Sequence, residues 1–347
     1  MPLLEVVETD RLDDRLTEPW DALVSWQTVP SPFLRSWWLA AMPATQRLFL
    51  QMYDGSRLVG GIPIAVDRLL GVPRYRFLGQ GVLCPDHLDL MAAPGFEDQV
   101  AAAFATWFAE QGTRLLDASG LVSASLLARA LGVSSHPIDL APYQVLPATR
   151  EAYLASRTKN FRRSLRRTAH RLDEAGVTHR RAATPREIDD ALEMFRALHS
   201  GRPGRERLLD ELPTQRAAVQ AGAERGEMQV DVLDVGGETV AVSLFFCIAD
   251  RLSCYQHARS LDRTHDGAGT ALIHRILESG IEAQVAEVDL LRGDERYKSS
   301  FADAARELHR VRVGHGTAAR LLAGGWRAAN HARSGIKARR DAPPART

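Results

Sequence analysis

Two hairpin patterns, one in each half of the chain, restrict the fold more than any other feature. In the first, the strand-like runs Arg47–Tyr53 and Leu58–Asp67 are joined through Asp54-Gly55. In the second, Glu227–Val235 and Thr239–Ile248 flank Gly236-Gly237. Asp-Gly and Gly-Gly pairs supply the positive φ angles that a tight turn requires, so each stretch reads as two antiparallel strands joined directly.

A similar order of elements surrounds each hairpin. In the first half, Leu3–Val7 reads as a strand and Trp20–Val29 and Pro32–Met42 as helices. After the hairpin come a short strand at Arg74–Gly81, a helix at Phe96–Gln111, a strand at Thr113–Asp117, a helix at Ser123–Gly132 and a strand at Tyr143–Leu146. In the second half, a basic helix Ser156–Gly176, a strand Val177–Ala182 and helices Pro185–Ser200 and Leu208–Arg225 precede the hairpin. Strands Arg251–Ala258, Glu287–Leu291 and Leu308–Val313 follow it, with a helix inside Leu261–Gly280. There is no close sequence repeat. The expectation is an α/β protein of two weakly related copies of one fold, each a mostly antiparallel mixed sheet flanked by helices. Pro137, Pro142 and Pro147 interrupt the pattern and place the boundary, giving domains 1–147 and 148–316 and a basic tail 317–347. The tail reads as a helix at Thr317–His331 with a disordered end, DAPPART.

Two domains also suit a chain of 347 residues. A hydrophobic fraction of 45% and a charged fraction of 25% describe an ordinary globular protein. With a net charge of +1 no whole-molecule field favours nucleic acid or membrane, so such attraction needs a local patch. The start, MPLLEVVETDRLDDRL, lacks the basic-then-apolar order of a signal peptide. The longest apolar run, Val240–Ile248, is strand-sized, so no membrane insertion is expected. Cys84, Cys247 and Cys254 lack metal-ligand spacing, which points to a reducing compartment and a cytoplasmic protein. The oligomeric state is not set by the sequence.

The stretch 264–280, THDGAGTALIHRILESG, puts small residues before a helix with an apolar stripe of Ala271, Leu272, Ile276 and Leu277. A helix N-terminus leaves backbone N–H groups free and carries positive partial charge, and glycine lets a phosphate approach it. A simple turn uses the same residues. A dinucleotide fold does not fit, because the loop follows antiparallel strands. A nucleotide P-loop does not fit either, because no Lys-Ser or Lys-Thr follows the glycines.

Three further segments occur in a telling order around this one. They are DGSRLVGGIPIAVDRLLGVPRYRFLGQG followed by DHLDL, the basic SRTKNFRRSLRRTAHRLDEAG, and LLRGDERYKSSF. From Trp20 to Val313 this set resembles the GNAT-fold acyltransferases of the CelD-like type, tandem GNAT proteins related to the Fem-type peptidoglycan aminoacyltransferases. The resemblance implies that Asp266, Gly267, Ala268, Gly269 and Thr270 bind the pyrophosphate of acyl-CoA, although family members often carry a Ser-Pro-Gly-like sequence here. It maps a G-x-x-x-Y-K element onto Gly293, Tyr297 and Lys298. Lys298 would then bring positive charge to the acceptor or a developing oxyanion, and Tyr297 would donate a proton or pack on the acyl chain. His257, at the end of a strand facing the acyl carbonyl, would act as base directly or through water. A solvated lysine, a packing tyrosine and a strand histidine bonded to backbone are the structural alternatives. Asp289, in the apolar run VDLL, needs a partner: catalysis, a salt bridge to Arg292 or Arg259, or a strand-end position each supplies one.

Between Arg157 and Arg171 no residue is acidic. Phe161, Leu165, Ala169 and Leu172 form a packed stripe, which leaves Arg163, Arg166 and Arg167 toward solvent or an anion such as CoA phosphate, an anionic acceptor or tRNA. In the first half, Gly79-Gln80-Gly81 is followed by no helix, so that half is expected to shape an acceptor cleft rather than to bind CoA. Asp86 and His87 are assigned to acceptor contact or structure. With Asp89 they make a weak ligand set, and no metal is expected.

The function expected from the resemblance is an N-acyltransferase that moves an acyl group, acetyl in the simplest case, from acetyl-CoA or another acyl-CoA to an amine by direct attack. The acceptor is a small molecule or a cell-envelope component. The alternatives are an aminoacyl-tRNA-dependent Fem-like transferase, which the near-neutral charge and the lack of a long helical arm disfavour, and a non-catalytic GNAT scaffold.

Overall fold

Thirteen strands form around the two hairpins in the computed structural model, which describes residues 4–44, 46–110, 112–293, 295 and 297–325. The first half supplies β1 (Glu5–Thr9), β2 (Arg47–Asp54), β3 (Arg57–Leu69), β4 (Val72–Phe77), β5 (Met91–Ala92), β6 (Arg114–Leu121) and β7 (His136–Val145). The second supplies β8 (Val177–Ala182), β9 (Met228–Val235), β10 (Glu238–Ile248), β11 (Arg251–Arg259), β12 (Glu287–Asp289) and β13 (Ala304–His315). Gly55, Gly236 and Gly237 turn the hairpins at positive φ, as their sequence requires.

The two hairpins share an irregularity. In β2–β3, Leu58 pairs with Tyr53 and Gly60 with Met52, so Val59 is an extra residue. In β9–β10, Thr239 pairs with Asp234 and Ala241 with Leu233, so Val240 is extra. Each bulge falls on the third residue of its strand, and both valines are fully buried. Each half also contains one parallel pair, β4–β6 and β11–β12. Two copies of one fold are therefore visible in register, where residue identity shows little.

The sheet does not divide at the prolines. Its order is β1-β2-β3-β4-β6-β13-β7-β12-β11-β10-β9-β8, with β5 on β3. The last strand of the second half lies beside β6, and the last strand of the first half lies beside β12. Each half thus completes the other. Pro137 and Pro142 sit within β7, contrary to the break expected of them. Pro137 is tolerated where the register with β13 shifts, and the Pro142 carbonyl accepts from Leu290 N–H at 2.8 Å.

Helices cover both faces. Ala268–Glu282 packs its apolar side, Ala271, Leu272, Ile276 and Leu277, with Phe245 and Leu252 of the sheet. On the other face, Phe33 and Trp38 from the first half meet Phe246 and Tyr255 at ring separations of 5.1–5.6 Å. Trp37 crosses to the second half, donating to Glu227 at 2.6 Å. Two expected helices have other bounds in the fold. The basic one, expected over Ser156–Gly176, runs Lys159–Glu174 behind a separate, unexpected helix Arg150–Ser156, because Thr158 caps it by accepting from Phe161 N–H and Arg157 is buried between the two. Leu208–Arg225 becomes Glu206–Asp210 and Leu212–Glu224. Among the described residues no helix is long and apolar enough to cross a membrane. Of the expected tail helix, residues 317–325 are helical and the remainder lies outside the described residues.

Candidate active site

The site begins where two parallel strands part. β11 and β12 pair only at Arg251–Ser253 against Glu287–Asp289. Leu290 then turns its N–H to Pro142 of β7. Two residues into the parting, β11 is bulged: Cys254 pairs with Phe245 and Gln256 with Leu244, leaving Tyr255 unmatched. A bulge bends its strand and breaks the ladder locally. The wedge so formed opens into a cleft of about 990 Å³ between the two halves. Cys254–His257, Gly267, Gly269 and Thr270 form one wall, and Gly81–Cys84 and Asp86 of the first half form another.

Gly267 is the N-cap of helix Ala268–Glu282, at φ 85°. A Cβ there would lie 2.9 Å from Thr168, and one at Gly269 would lie 2.5 Å from His257 Nε2. Packing thus demands both glycines, and at Gly267 the positive φ demands one as well. Ala268 is buried as the first helical residue. No side chain caps this terminus, so its first N–H groups, which have no intrahelical acceptors, point out beside Thr270. Asp266 makes no side-chain cap hydrogen bond to this helix. Its carbonyl instead accepts from Arg171, and Asp262 caps the preceding short turn through Thr264 N–H at 2.8 Å.

His257 Nδ1 lies 2.7 Å from Ser243 Oγ. Burial, then Arg259, His199 and Arg202 nearby, push its pKa down to about 3. His199, buried edge-on against Phe195 at 4.6 Å, has neither ring nitrogen hydrogen-bonded. Burial, then Arg205 and Arg202, lower it to about 4. Both rings are neutral at pH 7. An unfolded chain with histidines near 6.5 binds protons that the fold refuses, so this stability is complete above about pH 6.5 and is lost as pH falls toward 4. His199→Leu should therefore remove about 1–2 kcal/mol of the stability lost between pH 7 and 5. Urea midpoints at the two pH values test this, and equal losses in both proteins would refute it.

The Tyr297 ring is 6.1 Å from that of His257. Burial, then the neighbouring Cys254, raises its phenol, which stays a proton donor. The Lys298 ammonium is buried and committed to the Leu291 carbonyl at 3.3 Å, the Arg292 carbonyl at 2.5 Å and Glu295 at 2.9 Å. It pins the 291–298 loop, and Gly293, at φ 129°, leaves the space that its Nζ occupies. The spacing of Gly293, Tyr297 and Lys298 thus has a packing cause.

Asp86 accepts from Arg292 N–H at 2.7 Å and pairs with its guanidinium. His87 Nε2 lies 2.8 Å from Asp289, both groups buried. The partners of Asp289 are therefore His87, Leu291 N–H at 2.7 Å and the Arg306 guanidinium at 3.5 Å, and not Arg292 or Arg259. Asp89 instead binds the start of helix Leu126–Ala130 through Leu126 and Leu127 N–H. The three side chains diverge, and among the described residues no His, Cys, Asp and Glu group could hold a metal.

Arg163, Arg166 and Arg167 are exposed and do not line the cleft. Its positive charge comes from Arg202, Arg205, Arg207, Arg259 and Arg292. Three of these arginines fall within seven residues, GRPGRER at 201–207, a density visible in the sequence.

Comparisons with known proteins agree with this geometry. Residues 159–299 match a family model described as an acetyltransferase (GNAT) domain. The solved structure of FemX is 10% identical and superposes with a TM-score of 0.60, covering 88% of this chain and 96% of that one. A conserved protein of unknown function from Bacteroides thetaiotaomicron VPI-5482 is 11% identical, with a TM-score of 0.59 and coverage of 89% and 100%. A tandem GNAT protein from the clavulanic acid biosynthesis pathway is 16% identical, with a TM-score of 0.51 and coverage of 90% and 99%. At these identities the likeness is one of fold. No curated protein sequence matches the chain.

Proposed function

We propose that this GNAT-fold protein, structurally similar to FemX and to tandem GNAT proteins, transfers an acyl group from acyl-CoA to an amine held in the cleft between its halves. The observation that carries the reading is the wedge between β11 and β12, bulged at Tyr255 and running straight to an uncapped helix N-terminus.

The residues fit such a donor. Free N–H groups at Ala268–Thr270 would receive a pyrophosphate, with the Arg259 side chain packed against Gly269 as a nearby cation. The broken ladder around Tyr255 leaves strand amides to polarise a carbonyl lying in the wedge. Transfer is direct: the amine nitrogen bonds to the carbonyl carbon, the carbon–sulfur bond breaks, and the departing thiolate takes a proton. Tyr297, protonated and in the cleft, would supply that proton. A covalent cysteine intermediate is disfavoured, because burial pushes Cys247 and Cys254 up to about 12 and raises Cys84. His257 is neutral, but with a pKa of about 3 it is too weak a base to take a proton from an ammonium group. In this reading it orients the wall through Ser243, and the amine proton leaves through water in the cleft.

Calorimetric titration with CoA and acetyl-CoA tests the donor. Micromolar binding is expected. A folded protein that binds neither would turn the reading to an aminoacyl-tRNA donor, for which the arginines of 202–207 are the available contacts, or to a scaffold.

A further inference from the structure

A second chamber, of about 250 Å³, opens off the cleft on the first-half side and shares Gly81, Cys84 and Arg292 with it. It lies where β4 and β6 part after pairing only at Arg74–Tyr75 against Leu115–Leu116, the counterpart of the β11–β12 wedge. Alternation along the strands puts Arg74 and Arg76 of β4 on one face, and Asp117 and Ser119 of β6 with them. Arg310 arrives opposite Ser119 on the exchanged strand β13.

The guanidinium groups here are held in place. Asp67 grips Arg74 at 2.7 Å through both oxygens and Arg76 at 2.8 Å. Asp117 grips Arg310 at 2.6 Å through both oxygens and Arg312 at 3.0 Å. The Gln80 amide braces the wall, donating to the Asp117 carbonyl at 3.0 Å and accepting from Ser119 N–H at 3.1 Å. Asp67 and Asp117 thus order the chamber's Arg74, Arg76 and Arg310 and leave positive charge in excess. Arg76 Nε is buried without a hydrogen-bond partner. The other Arg76 nitrogens donate to Asp67 and to the Gln80 carbonyl at 3.1 Å, and a fixed cluster of guanidinium groups with net positive charge and one unsatisfied N–H suits a carboxylate or phosphate.

We propose that this chamber binds an oxyanion of the acceptor, so that the acceptor is an amine that also carries a carboxylate or phosphate. Its designation as acceptor rests on the acyl-transfer reading of the main cleft, whereas oxyanion binding itself does not. The helix terminus at Thr270 is the competing anion site, and Thr270→Glu blocks it with a carboxylate.

The test is calorimetric titration of the full chain with inorganic phosphate and, separately, acetate at constant ionic strength. Wild type, Arg76→Gln and Thr270→Glu are compared, and each is also titrated with CoA. Arg76→Gln leaves the Arg74–Asp67 pair intact. One oxyanion should bind wild type and Thr270→Glu alike and bind Arg76→Gln at least tenfold more weakly, with CoA affinity unchanged in Arg76→Gln. Should that variant fail to fold, the same loss is read in Arg76→Lys, which keeps the charge and loses the fork. The probe that binds identifies phosphate or carboxylate. Binding lost in Thr270→Glu but kept in Arg76→Gln, or no binding of either anion by folded wild type, would overturn the proposal. If phosphate behaves as expected while wild type binds no CoA, the acyl-CoA reading fails and the oxyanion chamber stands.

Discussion

Thr270→Glu should reduce CoA affinity by about a hundredfold or more while leaving thermal stability unchanged or slightly higher. Thr270 is the third residue of helix Ala268–Glu282 and lines the cleft. A carboxylate at this position sits over the N–H groups assigned to pyrophosphate. Like charges about 4–5 Å apart repel by roughly 3–4 kcal/mol at an effective dielectric near 20, which exceeds the hundredfold loss expected. The same carboxylate suits the helix, because a negative charge in the first turn contributes about 0.3–1 kcal/mol and this terminus has no side-chain cap. Binding and stability therefore move apart, a separation that substitution of Gly269 cannot achieve, since any Cβ there meets His257. Calorimetry with CoA and a melting curve measure the two quantities. Unchanged CoA affinity would remove the pyrophosphate from this terminus.

His87→Ala should destabilise the protein by about 1–3 kcal/mol, the usual cost of taking one hydrogen-bond partner from a buried polar group, since Arg306 and the Leu291 N–H stay with Asp289. Burial pushes the Asp289 carboxyl up, but His87 beside it, the Leu291 N–H and Arg251 outweigh this and hold it below its ordinary 3.8. A depressed carboxylate contributes stability that is present above its unfolded pKa and lost as pH falls through its folded one. The cost of His87→Ala, read from urea midpoints, should therefore shrink below about pH 4. Adding Asp289→Asn should recover part of the loss at pH 7, because the buried charge that has lost one of its partners is then gone. A neutral effect of His87→Ala would mean that this contact does not tie the halves together.

Local chemistry is what made parts of this protein legible in its sequence. The hairpins follow from Asp54-Gly55 and Gly236-Gly237, whose backbone freedom a turn demands. Helix Pro185–His199 follows from its apolar spacing and is closed by a capping box between Thr184 and Glu187. Asp266, Gly267, Gly269, Thr270, His257, Tyr297 and Lys298 line one cleft, and the residues that mark them in sequence are those a turn, a strand end or a tight loop selects.

The tertiary structure alone decided what meets across the chain. The exchange of β7 and β13 leaves no trace in period or propensity, because strand pairing is chosen among distant partners. Asp289 announced only that it needed a partner, and its partner, His87, lies 202 residues away. Which charges reach the cleft was decided in the same way. The helix Lys159–Glu174 carries the densest basic run but turns Arg163, Arg166 and Arg167 to water, while Arg202, Arg205 and Arg259 reach the cleft from a loop and a strand end. A sequence states how much charge a segment has. Which of it faces a ligand is decided by packing, because the face a helix buries depends on what the rest of the chain sets against it.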